Sequence, residues 1–327
     1  MRYSTKDWAA VLLYLAGASL THAEDCALKR LASVELAEAS DGSMLVPVTL
    51  ANTAAYLVLS TAAPLSALQS AFAAEHKLST GTEVDSFQII NGQRIPAQYA
   101  VVDQFSLDHI QFRSSRVRIY PMSKIESQHA GTPIAGYLGW DVLSRYDVEL
   151  DLGHHRLSLY SPQHCPKQVV YWASAYDSTP LYKGGMGEPY FAMELDGHQL
   201  ETSLGTDRAT TSLRTDVSKK LYKFDEKSSD VYKAADAGEE PTLYYRAMAI
   251  NSRGLSVINA KINLVVIKDS SCDVTTKAHV TGYTGCFGPH PLTLGRNVLA
   301  KLRIYLATQE GVMYFTAADA VQTASTH

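Results

Sequence analysis

The chain has no excess of positive charge. Its 29 Lys and Arg are outnumbered by 33 Asp and Glu, a formal net charge of −4. Without a basic field, nucleic acid is excluded as an expected partner. Cysteine is scarce, four in 327 residues, and no two stand in Cys-x-x-Cys spacing, so the common zinc frames are absent and no metal is expected. No glycine-rich loop lies between a strand and a helix to cradle a phosphate, and no Gly-x-Ser-x-Gly motif exposes a serine nucleophile. No pattern calls for a cofactor. Long apolar runs are missing too: the stretch from Ala9 to Leu20 is too short to cross a bilayer comfortably, so no membrane span is expected in the mature chain.

What is present suits a globular protein. The composition is 46% hydrophobic and 19% charged, which supplies real cores, and the length suits two domains. Arg2 and Lys6 precede the apolar run, and Thr21-His22-Ala23 offers small residues ahead of Glu24. Residues 1–23 read as a secretory signal peptide, with an uncleaved anchor as the alternative. The residues before Cys26 do not form a lipobox. A periplasmic or secreted location follows. In that compartment an even number of cysteines implies disulfides, with three connectivities open. Cys272–Cys286, a short local loop, and Cys26–Cys165 are the favoured pairs.

Strand signals dominate. Met44 to Leu50 and Ala55 to Leu59 flank a turn at Ala51-Asn52-Thr53-Ala54. Asn91-Gly92 marks a second hairpin. Gly139-Trp140-Asp141-Val142-Leu143 leads into a short helix, and strands at 147–152 and 156–160 close around Gly153-His154-His155. The order then begins again. Strands at 190–195 and 199–204 flank Asp196-Gly197-His198, and Gly295-Arg296-Asn297-Val298-Leu299 repeats the glycine-helix landmark. Strands at 302–306 and 312–315 repeat the closing hairpin. Three landmarks recur in order at an offset of roughly 150 residues, the length of a duplicated domain rather than of a solenoid unit. The expected division is a signal peptide at 1–23, a first lobe at 24–165, a linker at 166–187, a second lobe at 188–318 and a tail at 319–327. The fold class is all-β, two pseudo-symmetric barrel lobes with a cleft between them.

The strand that ends in Ser60-Thr61-Ala62-Ala63, with the later Leu138-Gly139 strand end, resembles one lobe of an aspartic protease of the retropepsin and pepsin type. Two copies in one chain resemble the pepsin arrangement, or exported bacterial retropepsin-like aspartic proteases. In that family each lobe brings an Asp-Thr-Gly turn to the cleft, and the two carboxyls share one proton to activate water. The resemblance places Ser60, Thr61 and Ala62 in the first turn and Gly205, Thr206 and Asp207 in the second. Both threonines remain, and neither aspartate does.

The resemblance therefore implies a protein that is catalytically inactive as an aspartic protease and binds a peptide or protein segment in the old cleft. One alternative is an active aspartic endopeptidase with atypical residues. The other is a structural envelope protein without ligand. Asp207, two residues past the lost position, reads as a turn residue that caps local backbone or faces Arg208. His154-His155 reads as a solvated turn, and His279 and His290 as loop residues beside a disulfide. Tyr244, Tyr245 and Tyr283 fit hairpin packing as well as a cleft lining.

Overall fold

A computed structural model describes residues 27–319, apart from 91–92, 121–125, 186, 226, 234–242, 253 and 266–289. The signal-peptide reading, the Asn91-Gly92 turn, Cys26, Cys272, His279, Tyr283 and Cys286 lie outside these residues.

The polypeptide builds one sheet twice. In the first half the strands run, edge to edge, Ser79–Ile90, Gln93–Val102, Ser115–Tyr120, Ala67–Gln69, Thr132–Leu138, Thr53–Leu59, Met44–Leu50, Phe105–Leu107 and Ile110–Phe112. In the second they run Tyr232–Lys233, Leu243–Arg246, Lys261–Val265, Thr211–Arg214, Leu292–Leu294, His198–Leu204, Pro189–Leu195, Ala249–Asn251 and Ser256–Ile258. The order matches strand for strand, which is the structural form of the internal repeat.

Each half opens on a hairpin whose turn places two consecutive residues at positive φ, as twist-matched two-residue turns require. Ala51 and Asn52 lie at 49° and 62°, and Asp196 and Gly197 at 46° and 84°. In the second turn the Asp196 side chain also accepts the Ala249 N–H at 2.8 Å, a side-chain-to-backbone contact typical of turn Asp residues. The apolar residues of these hairpins alternate toward a single large core, with Val46, Leu57, Leu59, Phe191, Leu195 and Leu204 almost wholly buried.

A third sheet joins the halves. Its order is Arg30–Glu35, Arg156–Tyr160, Asp147–Asp151, Leu302–Ala307, Val312–Ala317 and Asp177–Pro180. At its centre Asp147–Asp151 of the first half pairs antiparallel with Leu302–Ala307 of the second, Glu149 opposite Tyr305. Polar sequence around residue 30 conceals the outer strand, which exists because Arg156–Tyr160 offers it an edge. The segment 166–187 connects the halves, and it is packed. Val169, Trp172 and Ala173 bury against Tyr305 and Tyr314, and Asp177–Pro180 joins the sheet.

The seam of this sheet is charged. Glu149, 1% exposed, receives Nε and Nη2 of Arg303 at 2.8 and 2.6 Å and the hydroxyls of Tyr160 and Tyr171 at 2.7 and 3.0 Å. Asp147 receives His164 Nε2 at 2.6 Å and both the N–H and hydroxyl of Thr308. Burial pushes the Asp147 carboxyl up, and the Thr308 and His164 contacts oppose that shift. The Arg303 and Thr308 bonds cross between the halves, joining segments 154 and 161 residues apart. No helix among the described residues is long and apolar enough to cross a membrane.

Candidate functional site

Two turns meet between the repeated sheets. Strand Thr53–Leu59 delivers Ser60-Thr61-Ala62-Ala63, and strand His198–Leu204 delivers Gly205-Thr206-Asp207-Arg208. Their backbones are held by the same bonds. Ser60 N–H donates to Leu138 O at 3.0 Å, and Gly205 N–H donates to Leu294 O at 2.8 Å. Trp140 N–H donates to Ala63 O and Arg296 N–H to Arg208 O, at 2.8 and 2.9 Å.

One layer below, the Asp141 carboxylate accepts both the N–H and hydroxyl of Ser66, whose oxygen in turn accepts the Gly139 N–H at 2.9 Å. In the second half Asn297 does the same for Thr211, whose hydroxyl oxygen accepts the Gly295 N–H at 3.0 Å. Both positions require glycine. A Cβ on Gly139 would lie 2.5 Å from Leu65 C, and one on Gly295 would lie 2.3 Å from Thr210 C.

The threonines lock the two turns together. Thr61 N–H donates to Thr206 Oγ1 at 3.0 Å, and the Thr206 hydroxyl donates to Leu59 O at 2.7 Å. From the other side the Thr61 hydroxyl donates to Leu204 O at 2.8 Å. Both hydroxyl protons are committed to carbonyls of the opposite half, so the 3.3 Å between the two hydroxyl oxygens is a close contact rather than a further bond. Both side chains are fully buried.

Ser60 is buried as well, and Ala62 is half-buried. Across the junction stands Asp207, half-buried as a residue but with Oδ1 sealed from solvent and unpartnered. Desolvation raises its carboxyl above the ordinary range. The Arg208 guanidinium and the Ser60 hydroxyl pull the other way. Ser60 stabilises the charged form by proximity, without a hydrogen bond of good geometry. The expectation of local capping or of Arg208 as Asp207's neighbour thus describes only part of its surroundings. Sequence reading also missed Tyr137, whose phenol is pushed up to about 12 by burial first and then by Asp207 and Asp41. Tyr137 sits two residues before Gly139, and that spacing was the available signal.

Gly205 has no room for a side chain. A Cβ there would lie 2.7 Å from the Thr293 methyl and 3.1 Å from Cδ of Arg208. Thr293 is buried and short, so it cannot swing aside. The place of a second carboxyl is filled.

The other candidates stand apart from this junction. His154 Nδ1 is 2.7 Å from Asp151 Oδ1 on a short 3₁₀ turn, and His155 follows in the left-handed region. His290 stacks on Tyr190 with ring centroids 4.7 Å apart. Tyr245 is core, packed on Phe224 and Tyr222, whereas Tyr244 stacks on Tyr232 beneath Lys261. Cys165 is disulfide-bonded, with its partner outside the described residues. No group of three or more His, Cys, Asp or Glu among the described residues could hold a metal ion.

The duplicated sheets, the joining sheet and the paired threonine turns are those of an aspartic-protease-like fold. The family model "Aspartyl protease" matches residues 46–142, from the first hairpin through Ser60 to the helix after Gly139. No curated protein matches the sequence. Among solved structures, conglutin gamma, a basic 7S globulin from lupine seeds, aligns at a TM-score of 0.49 and 10% identity over 89% of this chain and 95% of its own. Basic 7S globulin from soybean aligns at 0.48 and 8% identity over 90% and 96%.

Proposed function

We propose that this is an exported protein that keeps the aspartic-protease frame without acid proteolysis and holds a peptide or protein segment between its two halves. The observation that carries the reading is the Gly205 position. Amide hydrolysis by this class of site needs a base for water and an acid for the carbonyl, obtained by splitting one proton between two carboxyls. Ser60 has no charge to offer near neutral pH. Gly205 offers no side chain, and the Thr293 methyl and Arg208 stem occupy the space one would need. Asp207 leaves a single carboxyl, which cannot share a proton with itself.

Retention of the frame supports the binding half of the proposal. Thr61 and Thr206 still hold the two turns in register, and pairing to an open strand edge is a common mode of extended-peptide recognition. The character of residues 1–23 supports export.

The test is an acid protease assay on the purified protein with and without pepstatin, together with a peptide array. The expected outcome is no pepstatin-sensitive cleavage and retention of a subset of peptides. Robust pepstatin-sensitive cleavage, abolished by Asp207→Ala, would overturn the reading and make Asp207 catalytic. Absence of any peptide retention would favour a purely structural role.

A further inference from the structure

Away from the paired turns, a cavity of about 180 Å³ opens where the two halves meet near the joining sheet. Trp140 and Ser144 line it from the helix after Gly139, Leu181, Tyr182, Lys183 and Gly187 from the crossing segment, Pro189 from the start of strand Pro189–Leu195, and Thr308 from the closing hairpin. It shares no residue with the 60–62 or 205–207 turns. We propose that this cavity binds a small organic anion, a carboxylate carried on a compact apolar body.

The lining divides into two parts. Leu181, Pro189, the Tyr182 ring and the Trp140 ring give an apolar wall. Tyr182 is 48% exposed, yet its ring is fixed by stacking on Tyr190 at 5.4 Å, so a flat face is already in place for a ligand. The polar part consists of donors. Among the described residues, no hydrogen bond uses the Trp140 indole N–H or the Ser144 hydroxyl, and Lys183 has no ion pair. Thr308 is already committed, its N–H donating to Asp147 at 2.8 Å and its single hydroxyl proton shared between Tyr146 O and Asp147 Oδ1, each at 3.0 Å.

No carboxylate lines the cavity. Glu188, between the lining residues Gly187 and Pro189, lays its carboxylate over Gly184, and Asp147 is wholly buried behind Thr308 with its oxygens taken by His164, Tyr305 and Thr308. One cation and two neutral donors with no acid among the lining residues complement an anion, because charge-assisted hydrogen bonds need their donors free. The volume is below that of ordinary drug-sized pockets and limits the body to about one ring.

The probe is phenylacetate, titrated into the purified full chain and followed by isothermal calorimetry and tryptophan emission. Saturable binding is expected, weakened by about tenfold in Lys183→Met through loss of a charged hydrogen bond and largely kept in Lys183→Arg. Lys183 is exposed, so both variants should melt with the parent protein. 2-Phenylethylamine, with the same ring and opposite charge, should not compete. Absence of saturation, equal affinity in Lys183→Met, effective competition by the amine, or preference for a neutral sugar over phenylacetate would each overturn the proposal.

Discussion

Replacing Thr206 by valine tests the junction between the halves most directly. The two side chains have nearly the same shape, so the change removes a hydroxyl and little else. That hydroxyl accepts the Thr61 N–H at 3.0 Å and donates to Leu59 O at 2.7 Å. Both backbone groups belong to the other half and are buried beside side chains with no solvent access. A buried polar group left without a partner costs about 1–3 kcal/mol. Two such groups set the expected loss at roughly 2–5 kcal/mol after partial relaxation. Thr206→Ser keeps both bonds, deletes one methyl and should cost about 1 kcal/mol. The assay is urea unfolding followed by circular dichroism and by tryptophan emission, with coincident transitions as the check on two-state behaviour. Thr61→Val should behave similarly, since its hydroxyl donates to Leu204 O. The double variant should cost less than the sum, because the two hydroxyls belong to one network. A loss below about 0.5 kcal/mol for Thr206→Val, the range of ordinary surface substitutions, would refute the argument that these bonds fasten the halves together.

Other outcomes follow from the same geometry. Gly205→Ala should destabilise, since its Cβ meets the Thr293 methyl at 2.7 Å, and Thr293→Ser should recover much of the loss in thermal melts. For the same reason, Ser60→Asp with Gly205→Asp should stay inert toward pepstatin-sensitive substrates unless Thr293 is also trimmed. Asp207→Asn should be neutral or stabilising at pH 7. A carboxyl whose folded pKa is raised contributes stability below its unfolded value and loses it as pH rises through the folded value, so melts of the parent, but less so of the variant, should fall across that acid window. An unchanged pH dependence would show that Asp207 is not desolvated. Non-reducing peptide mapping should find Cys26–Cys165 and Cys272–Cys286. The first pairing is motivated by the bond from Ser161 N–H to Lys29 O at 2.9 Å, which sets Lys29, three residues after Cys26 in sequence, beside Ser161, four before Cys165. A Cys165–Cys272 link would contradict it.

The frame was legible because it is written in local chemistry. Hairpins announce themselves through turn residues such as Asp196-Gly197. Gly139 and Gly295 are fixed by neighbouring backbone that would lie within 2.5 Å of a Cβ on either. What sequence could not display depends on distant partners. Arg30–Glu35 has no strong alternation, and it becomes a strand because Arg156–Tyr160 needs a neighbour. Trp172 lies in a stretch rich in turn formers, yet its indole N–H donates to Thr316 at 2.9 Å inside a core that only the closing hairpin completes. Asp207 meets Ser60 through the approximate two-fold relation of the halves, and local spacing carries no trace of that. The occlusion of Gly205 by Thr293, 88 positions along in the numbering, is equally invisible without the fold.

The seam of the joining sheet also bears on how the chain is made. Glu149 receives its cation from Arg303, and Asp147 receives two of its donors from Thr308. A ribosome that has finished the first half has therefore synthesised two seam acids with Tyr160 and His164 in place but without Arg303 and Thr308. Until residues 302–308 emerge, strand 147–151 has an open edge on that side, and burying its carboxylates there without Arg303 and Thr308 would cost several kcal/mol per ion. The growing chain is thus held open at its future centre, and final closure waits for the second half to be synthesised. This places the last folding step after most of the chain has been synthesised.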